Sequence, residues 1–166
     1  MPDKPLQIRG LIPSFQLQAA NHDAVISPWH YKQNKHLVIV FFHQFQCAAC
    51  RSLLLKLADH YQHYRASDAE VLALSSGCIQ DLRQFAEHYS IPFPVLWDEE
   101  NQVRCAYIGQ PQTKQSVGVF VCDRFGELYM MATASEANQL PGEAEIREWL
   151  EFVDIQCPEC FPPDWR

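Results

Sequence analysis

Two periods alternate along the chain. Leu37-Val38-Ile39-Val40-Phe41-Phe42 is an unbroken apolar run of strand length, the pattern of a strand covered on both faces. The period then changes: Leu53, Leu54, Leu57, Ala58, Tyr61 and Tyr64 recur at helical spacing and predict one amphipathic helix from about Cys50 to about Arg65. Ala69-Glu70-Val71-Leu72-Ala73-Leu74-Ser75 predicts a second buried strand. Ser76-Gly77 then leads into a helix whose stripe is Ile79, Leu82, Phe85, Ala86 and Tyr89. Pro92 and Pro94 flank a short strand, Phe93 to Trp97, and Asp98-Glu99-Glu100 reads as a solvated, dipole-favoured start to a short helix carrying Val103, Ala106 and Tyr107. Beyond a polar connection at 109–115, Val117 to Cys122 predicts a strand, 123–126 a turn, and Glu127 to Met131 its hairpin partner. Pro141-Gly142 precedes a last helix with Glu143 and Glu145 in its first turn and Ile146, Trp149, Leu150 and Val153 on its buried face.

The first two strand–helix units form a β-α-β-α crossover. Such crossovers are right-handed, so the two strands run parallel and adjacent, with both helix starts at one edge of the sheet. The short strand and helix, the closing hairpin and the last helix complete the element order of a thioredoxin-like α/β domain. The expected fold is therefore α/β, a central mixed β-sheet flanked by helices. Residues 1–35 form an N-terminal β extension, and the proline-rich 155–166 segment forms a tail around Cys157-Pro158-Glu159-Cys160.

Composition narrows the setting more than the chemistry. The 166 residues are 48% apolar and 20% charged, which suits a single domain, 1–166, with a full core. A net charge of −7 without a basic run gives no electrostatic support for nucleic acid or an anionic membrane surface. The six-residue run at Leu37–Phe42 is too short to span a bilayer, and the first residues carry no apolar signal region. Seven cysteines in such a chain predict reduced thiols in the cytoplasm, with catalytic or metal roles open. The acidic surface is compatible with a monomer or a homodimer.

Cys47 and Cys50 carry the strongest chemical pattern. Their C-x-x-C pair falls where the buried strand gives way to a helix, and in open α/β sheets chemistry gathers beyond the carboxyl ends of the parallel strands. Unpaired N–H groups and the helix dipole favour a thiolate there, and a second thiol three residues on can attack the disulfide or sulfenic acid that forms. Auxiliary candidates are His43, for proton transfer at the strand end, and Arg51, for positive charge in the first turn. Cys78 begins the next helix at the same edge and is a candidate resolving thiol, while Cys105 and Cys122 lie on apolar stripes and read as core. Cys157 and Cys160 form a second pair, with a relay of electrons to the first pair, a zinc site, or no role as the open alternatives. No organic cofactor motif is present.

The segment Phe41-Phe42-His43-Gln44-Phe45-Gln46-Cys47-Ala48-Ala49-Cys50 resembles the active-site segment of peroxiredoxin-like proteins of the alkyl hydroperoxide reductase / thiol-specific antioxidant group, within the thioredoxin superfamily. Ile12-Pro13-Ser14-Phe15-Gln16-Leu17, Ile91-Pro92-Phe93-Pro94-Val95-Leu96-Trp97-Asp98 and Val119-Phe120-Val121-Cys122-Asp123-Arg124-Phe125-Gly126 are similar to the same family. The resemblance covers roughly 10–153 and implies that Cys47 takes the peroxidatic place and Cys50 that of its partner. It further implies a peroxide or disulfide substrate and an external thiol reductant such as a thioredoxin system. Three positions depart from the pattern. Gln44 stands where the family has Thr or Ser, Val40 where it has Pro, and Val117 where it has a peroxide-binding arginine or, in thioredoxins, a cis-proline. The rival reading is a non-enzymatic, zinc-stabilised or redox-sensing module using the two C-x-x-C pairs.

Overall fold

The computed structural model describes residues 6–44, 47–109 and 116–156. In chain order its elements are β1 (Leu17–Gln18), β2 (Val25–Ile26), β3 (His36–Phe41), α1 (Ala48–Asp59), α2 (Tyr61–Ala66) and β4 (Ala69–Ser75). There follow α3 (Ile79–His88), β5 (Val95–Trp97), α4 (Gln102–Ile108), β6 (Val117–Cys122), β7 (Leu128–Ala134) and α5 (Glu143–Asp154). Among these residues, one mixed sheet has the order β5-β4-β3-β6-β7, with β3 at its centre. β4 runs parallel to β3, pairing Ile39 with Leu72, and β6 runs antiparallel on the other side, pairing Ile39 with Phe120. β1 and β2 form the short N-terminal hairpin, which joins the sheet edge through a bridge between Ala19 and Leu96.

Every residue of β3 is buried, and its alternation divides the core between the two faces of the sheet. Val38, Val40 and Phe42 pack with Leu54 and Leu57 of α1, Leu82 of α3 and Leu150 of α5. Leu37, Ile39 and Phe41 pack on the opposite face with Phe15 of the N-terminal arm and with Val103 and Tyr107 of α4. There Phe41, Tyr107 and Phe120 meet in edge-on and tilted contacts, with ring centroids 5.2 to 5.7 Å apart. Burying each such side chain contributes roughly 1.5–3 kcal/mol, so the strand that leads to the thiols is firmly held, as are its fully buried neighbours β4 and β6. None of the described helices is long and apolar enough to cross a membrane.

Local chemistry changes three sequence expectations. The helix expected over Cys50 to Arg65 starts at Ala48 and is broken at His60, which leaves helical geometry (φ −103°, ψ 13°) while its ring Nδ1 lies 2.9 Å from the Lys56 carbonyl, so α1 and α2 are separate pieces. The strand expected from Phe93 begins only at Val95, after Pro94, whose missing N–H cannot join the ladder. Asp98 is buried, not solvated: its carboxylate accepts from the N–H groups of Val103 and Arg104 and so caps α4, while Glu99 and Glu100 remain exposed.

Candidate active site

The end of β3 and the first turn of α1 bring His43, Cys47 and Cys50 together, with the ligand-forming atoms of all three within 4.8 Å of one another. Two tethers fix the backbone that carries them. Ser75 at the end of β4 donates its hydroxyl to the His43 carbonyl at 2.8 Å, and the Arg104 guanidinium donates to the carbonyls of Phe42 and Ser116. Arg104 is buried. Burial works against its charge, and the neighbouring Asp98 carboxylate offsets that cost. Sequence reasoning missed Arg104, although a charged residue inside the stripe Val103, Ala106, Tyr107 marks a buried polar contact.

Cys47 is the N-cap residue of α1, with an extended backbone (φ −68°, ψ 113°) and no capping hydrogen bond from its neutral side chain. A thiolate supplies what the neutral sulfur does not. The Cys50 N–H is the main influence drawing the Cys47 pKa below the ordinary thiol range, against partial burial; the Cys50 thiol and the Ala49 N–H add to the lowering, and the charge of Glu136 opposes it. Cys50 lies one turn further in and is buried. Burial pushes its thiol up to about 11, the His43 and Gln44 N–H groups oppose this, and the thiol and charge of Cys47 add to the rise. The pair is therefore asymmetric: an accessible sulfur that ionises easily stands before a covered one that keeps its proton.

The remaining candidates take distinct places. Cys78 is exposed at the N-cap of α3, one strand over from Cys47 at the same sheet edge, and its thiol lies 2.9 Å from the Gln80 side-chain oxygen. Arg51 lines a surface groove with Asp81, Gln84 and His88 of α3. Cys122 is in the core, where burial raises its thiol far above the usual range; Cys105 on α4 is only partly buried. Val117, at the arginine or cis-proline position of the resemblance, is fully buried in the core cluster against which Cys47 and Cys50 pack. Cys157 and Cys160, like Phe45 and Gln46 of the motif segment, lie outside the described residues.

The family model for the AhpC/TSA family matches residues 8–131. The chain is 26% identical over 125 residues to the chloroplastic peroxiredoxin Q of Sedum lineare, which covers 73% of this chain and 64% of that protein. It is 27% identical to the chloroplastic peroxiredoxin Q of Triticum aestivum over the same share of this chain and 55% of that protein. The chain thus spans between about half and two thirds of the length of these relatives. Among solved structures, Peroxidoxin BcpB from Mycobacterium tuberculosis superposes with a TM-score of 0.74 at 14% identity, covering 89% of this chain and 96% of that one. The yeast mitochondrial 1-Cys peroxiredoxin gives 0.76 at 14% identity, covering 88% and 75%. At that identity the two structures establish the fold alone: a peroxiredoxin-type thioredoxin fold.

Proposed function

The chain belongs to the AhpC/TSA family, and from that premise we propose that it is a thiol-dependent peroxidase or disulfide oxidoreductase working through Cys47 and Cys50. The observation that carries the reading is the placement of the two thiols: Cys47, half-buried, is the N-cap residue of α1 and Cys50 lies buried one turn further in, their sulfurs within 4.8 Å of one another. In the peroxide reaction the Cys47 thiolate attacks one oxygen of the O–O bond, the other oxygen leaves as an alcohol or water after taking a proton, and Cys47 becomes a sulfenic acid. The Cys50 sulfur then displaces hydroxide from that sulfenic acid, forming the Cys47–Cys50 disulfide and releasing water. An external dithiol returns two electrons and two protons and leaves as a disulfide. With a disulfide substrate, the same Cys47 attack gives a mixed disulfide that Cys50 resolves.

Which substrate is preferred turns on the neighbours of Cys47. Val117 offers a peroxide oxygen no cationic contact, and among the described residues the first-turn N–H groups of α1 favour the Cys47 thiolate. We expect peroxides to be reduced, in keeping with the family, and small disulfides to compete. The sequence-based cytoplasmic setting and a thioredoxin-type reductant remain part of this proposal, as does the relay through Cys157 and Cys160.

The test is consumption of hydrogen peroxide, an alkyl hydroperoxide and a small disulfide by the full chain with a regenerating dithiol. Cys47→Ser is expected to bring all three to the uncatalysed background, and Cys50→Ser, oxidised in the absence of the dithiol, to stop after one oxidation at a trappable sulfenic acid or mixed disulfide. Thiol-dependent turnover retained in Cys47→Ser would sink the mechanism.

A further inference from the structure

The same three side chains that surround the reacting sulfur also form a metal-ligand set. We infer that the reduced site binds one zinc ion through the Cys47 and Cys50 thiolates and a ring nitrogen of His43, with the fourth position open to solvent. The ligand atoms lie within 4.8 Å of one another. A tetrahedral zinc with Zn–S of about 2.3 Å and Zn–N of about 2.0 Å needs its ligand atoms roughly 3.5–3.8 Å apart. Closing that difference takes about 1 Å, within reach of small side-chain rotations, and the backbone beneath is already held by Ser75 and Arg104. Two sulfurs and one imidazole are a soft set suited to a thiophilic d10 cation and unsuited to calcium or magnesium, which take oxygen.

Charge favours the same occupant. Binding releases the two thiol protons, so a dication joined by two thiolates and a neutral imidazole leaves a site of zero net charge. No net charge is therefore added beside the buried Arg104 guanidinium. His43 and Cys47 are only half-buried, leaving the site open to an entering ion and a solvent ligand, while Cys50 anchors it from the buried side. The bound ion occupies the sulfur lone pairs that peroxide chemistry needs, so metal binding and oxidation of this dithiol exclude one another.

This inference does not depend on turnover and is tested without it. In the full chain carrying Cys157→Ser and Cys160→Ser, fully reduced, zinc titration against a chromophoric chelator is expected to give one bound equivalent. Cobalt(II) in its place is expected to give a thiolate-to-metal charge-transfer band and the visible d–d bands of tetrahedral geometry. Adding Cys47→Ser should abolish the bound equivalent, and adding His43→Gln, which removes a direct ligand, should weaken zinc binding by more than the roughly 10- to 100-fold usual for loss of a residue that only supports a ligand. In the same protein with its site intact, zinc should slow alkylation of Cys47 and Cys50 while leaving Cys78 unaffected, a readout that needs no site variant to fold. No bound equivalent, or equal binding with and without Cys47, would overturn the inference. An active peroxidase that binds no zinc would refute it and spare the catalytic reading, and a zinc-binding protein without turnover would do the reverse.

Discussion

Cys47 and Cys50 are chemically alike and three residues apart, yet their surroundings push them in opposite directions. The first-turn N–H groups favour a thiolate at Cys47, and burial disfavours one at Cys50. Alkylation by iodoacetamide follows the thiolate fraction, so in the reduced protein Cys47 should be modified first, with a half-maximal pH lower than that of an ordinary thiol. Cys50 should react only as the pH approaches about 11. Mass mapping after timed alkylation across pH checks both; modification of Cys50 ahead of Cys47 would contradict the assignment. The spacing of these cysteines and their place after an apolar run were legible in the sequence. Their asymmetry was not, because it depends on which sulfur the folded helix end reaches and which one the core covers.

At the scale of elements, the site rests on how α4 braces the end of β3. Asp98 caps α4 and offsets the charge of Arg104, which ties the carbonyls of Phe42 and Ser116. Arg104→Met leaves the buried Phe42 carbonyl and the partly buried Ser116 carbonyl without their donor and is expected to cost about 3 kcal/mol, read as a lowered denaturant midpoint. A second tie closes the opposite end of β3. His36 accepts from the Arg124 N–H at its Nδ1 and reaches Asp154 of α5 through Nε2 at 3.1 Å, a network that assigns the neutral Nε2–H tautomer. Burial is the largest influence on His36 and lowers its pKa, against the hydrogen bond to Asp154. The unfolded chain therefore binds a proton first as pH falls below about 6.5, and this part of the stability is complete above that pH and lost as pH falls towards the folded-state value. Denaturant midpoints between pH 7.5 and 5 should fall less steeply in His36→Gln than in the parent. Periodicity made the element types readable; the break at His60 and the cap at Asp98 were hidden because each depends on where one polar side chain finds its partner.

On the scale of the whole molecule, a sheet centred on β3 and buried on both faces holds the thiol-bearing turn at the carboxyl ends of its parallel strands. The parallel pairing of β3 with β4 and the antiparallel β6–β7 hairpin follow from the order of apolar runs, since a crossover joins parallel neighbours and a turn joins a hairpin, whereas the antiparallel seating of β6 beside β3 was not legible there. The chain belongs to the AhpC/TSA family, and Val117 and Gln44 depart from the pattern it resembles. Whether Cys47 and Cys50 form a working redox pair is read from single-turnover oxidation. Fully reduced protein is mixed with one equivalent of hydrogen peroxide, quenched by alkylation at successive times and mapped by mass spectrometry. Two thiols should be lost per peroxide consumed, with a Cys47–Cys50 disulfide as the first bridge to appear. Consumption of peroxide with both thiols still free, or a first bridge that excludes Cys47, would contradict that pairing.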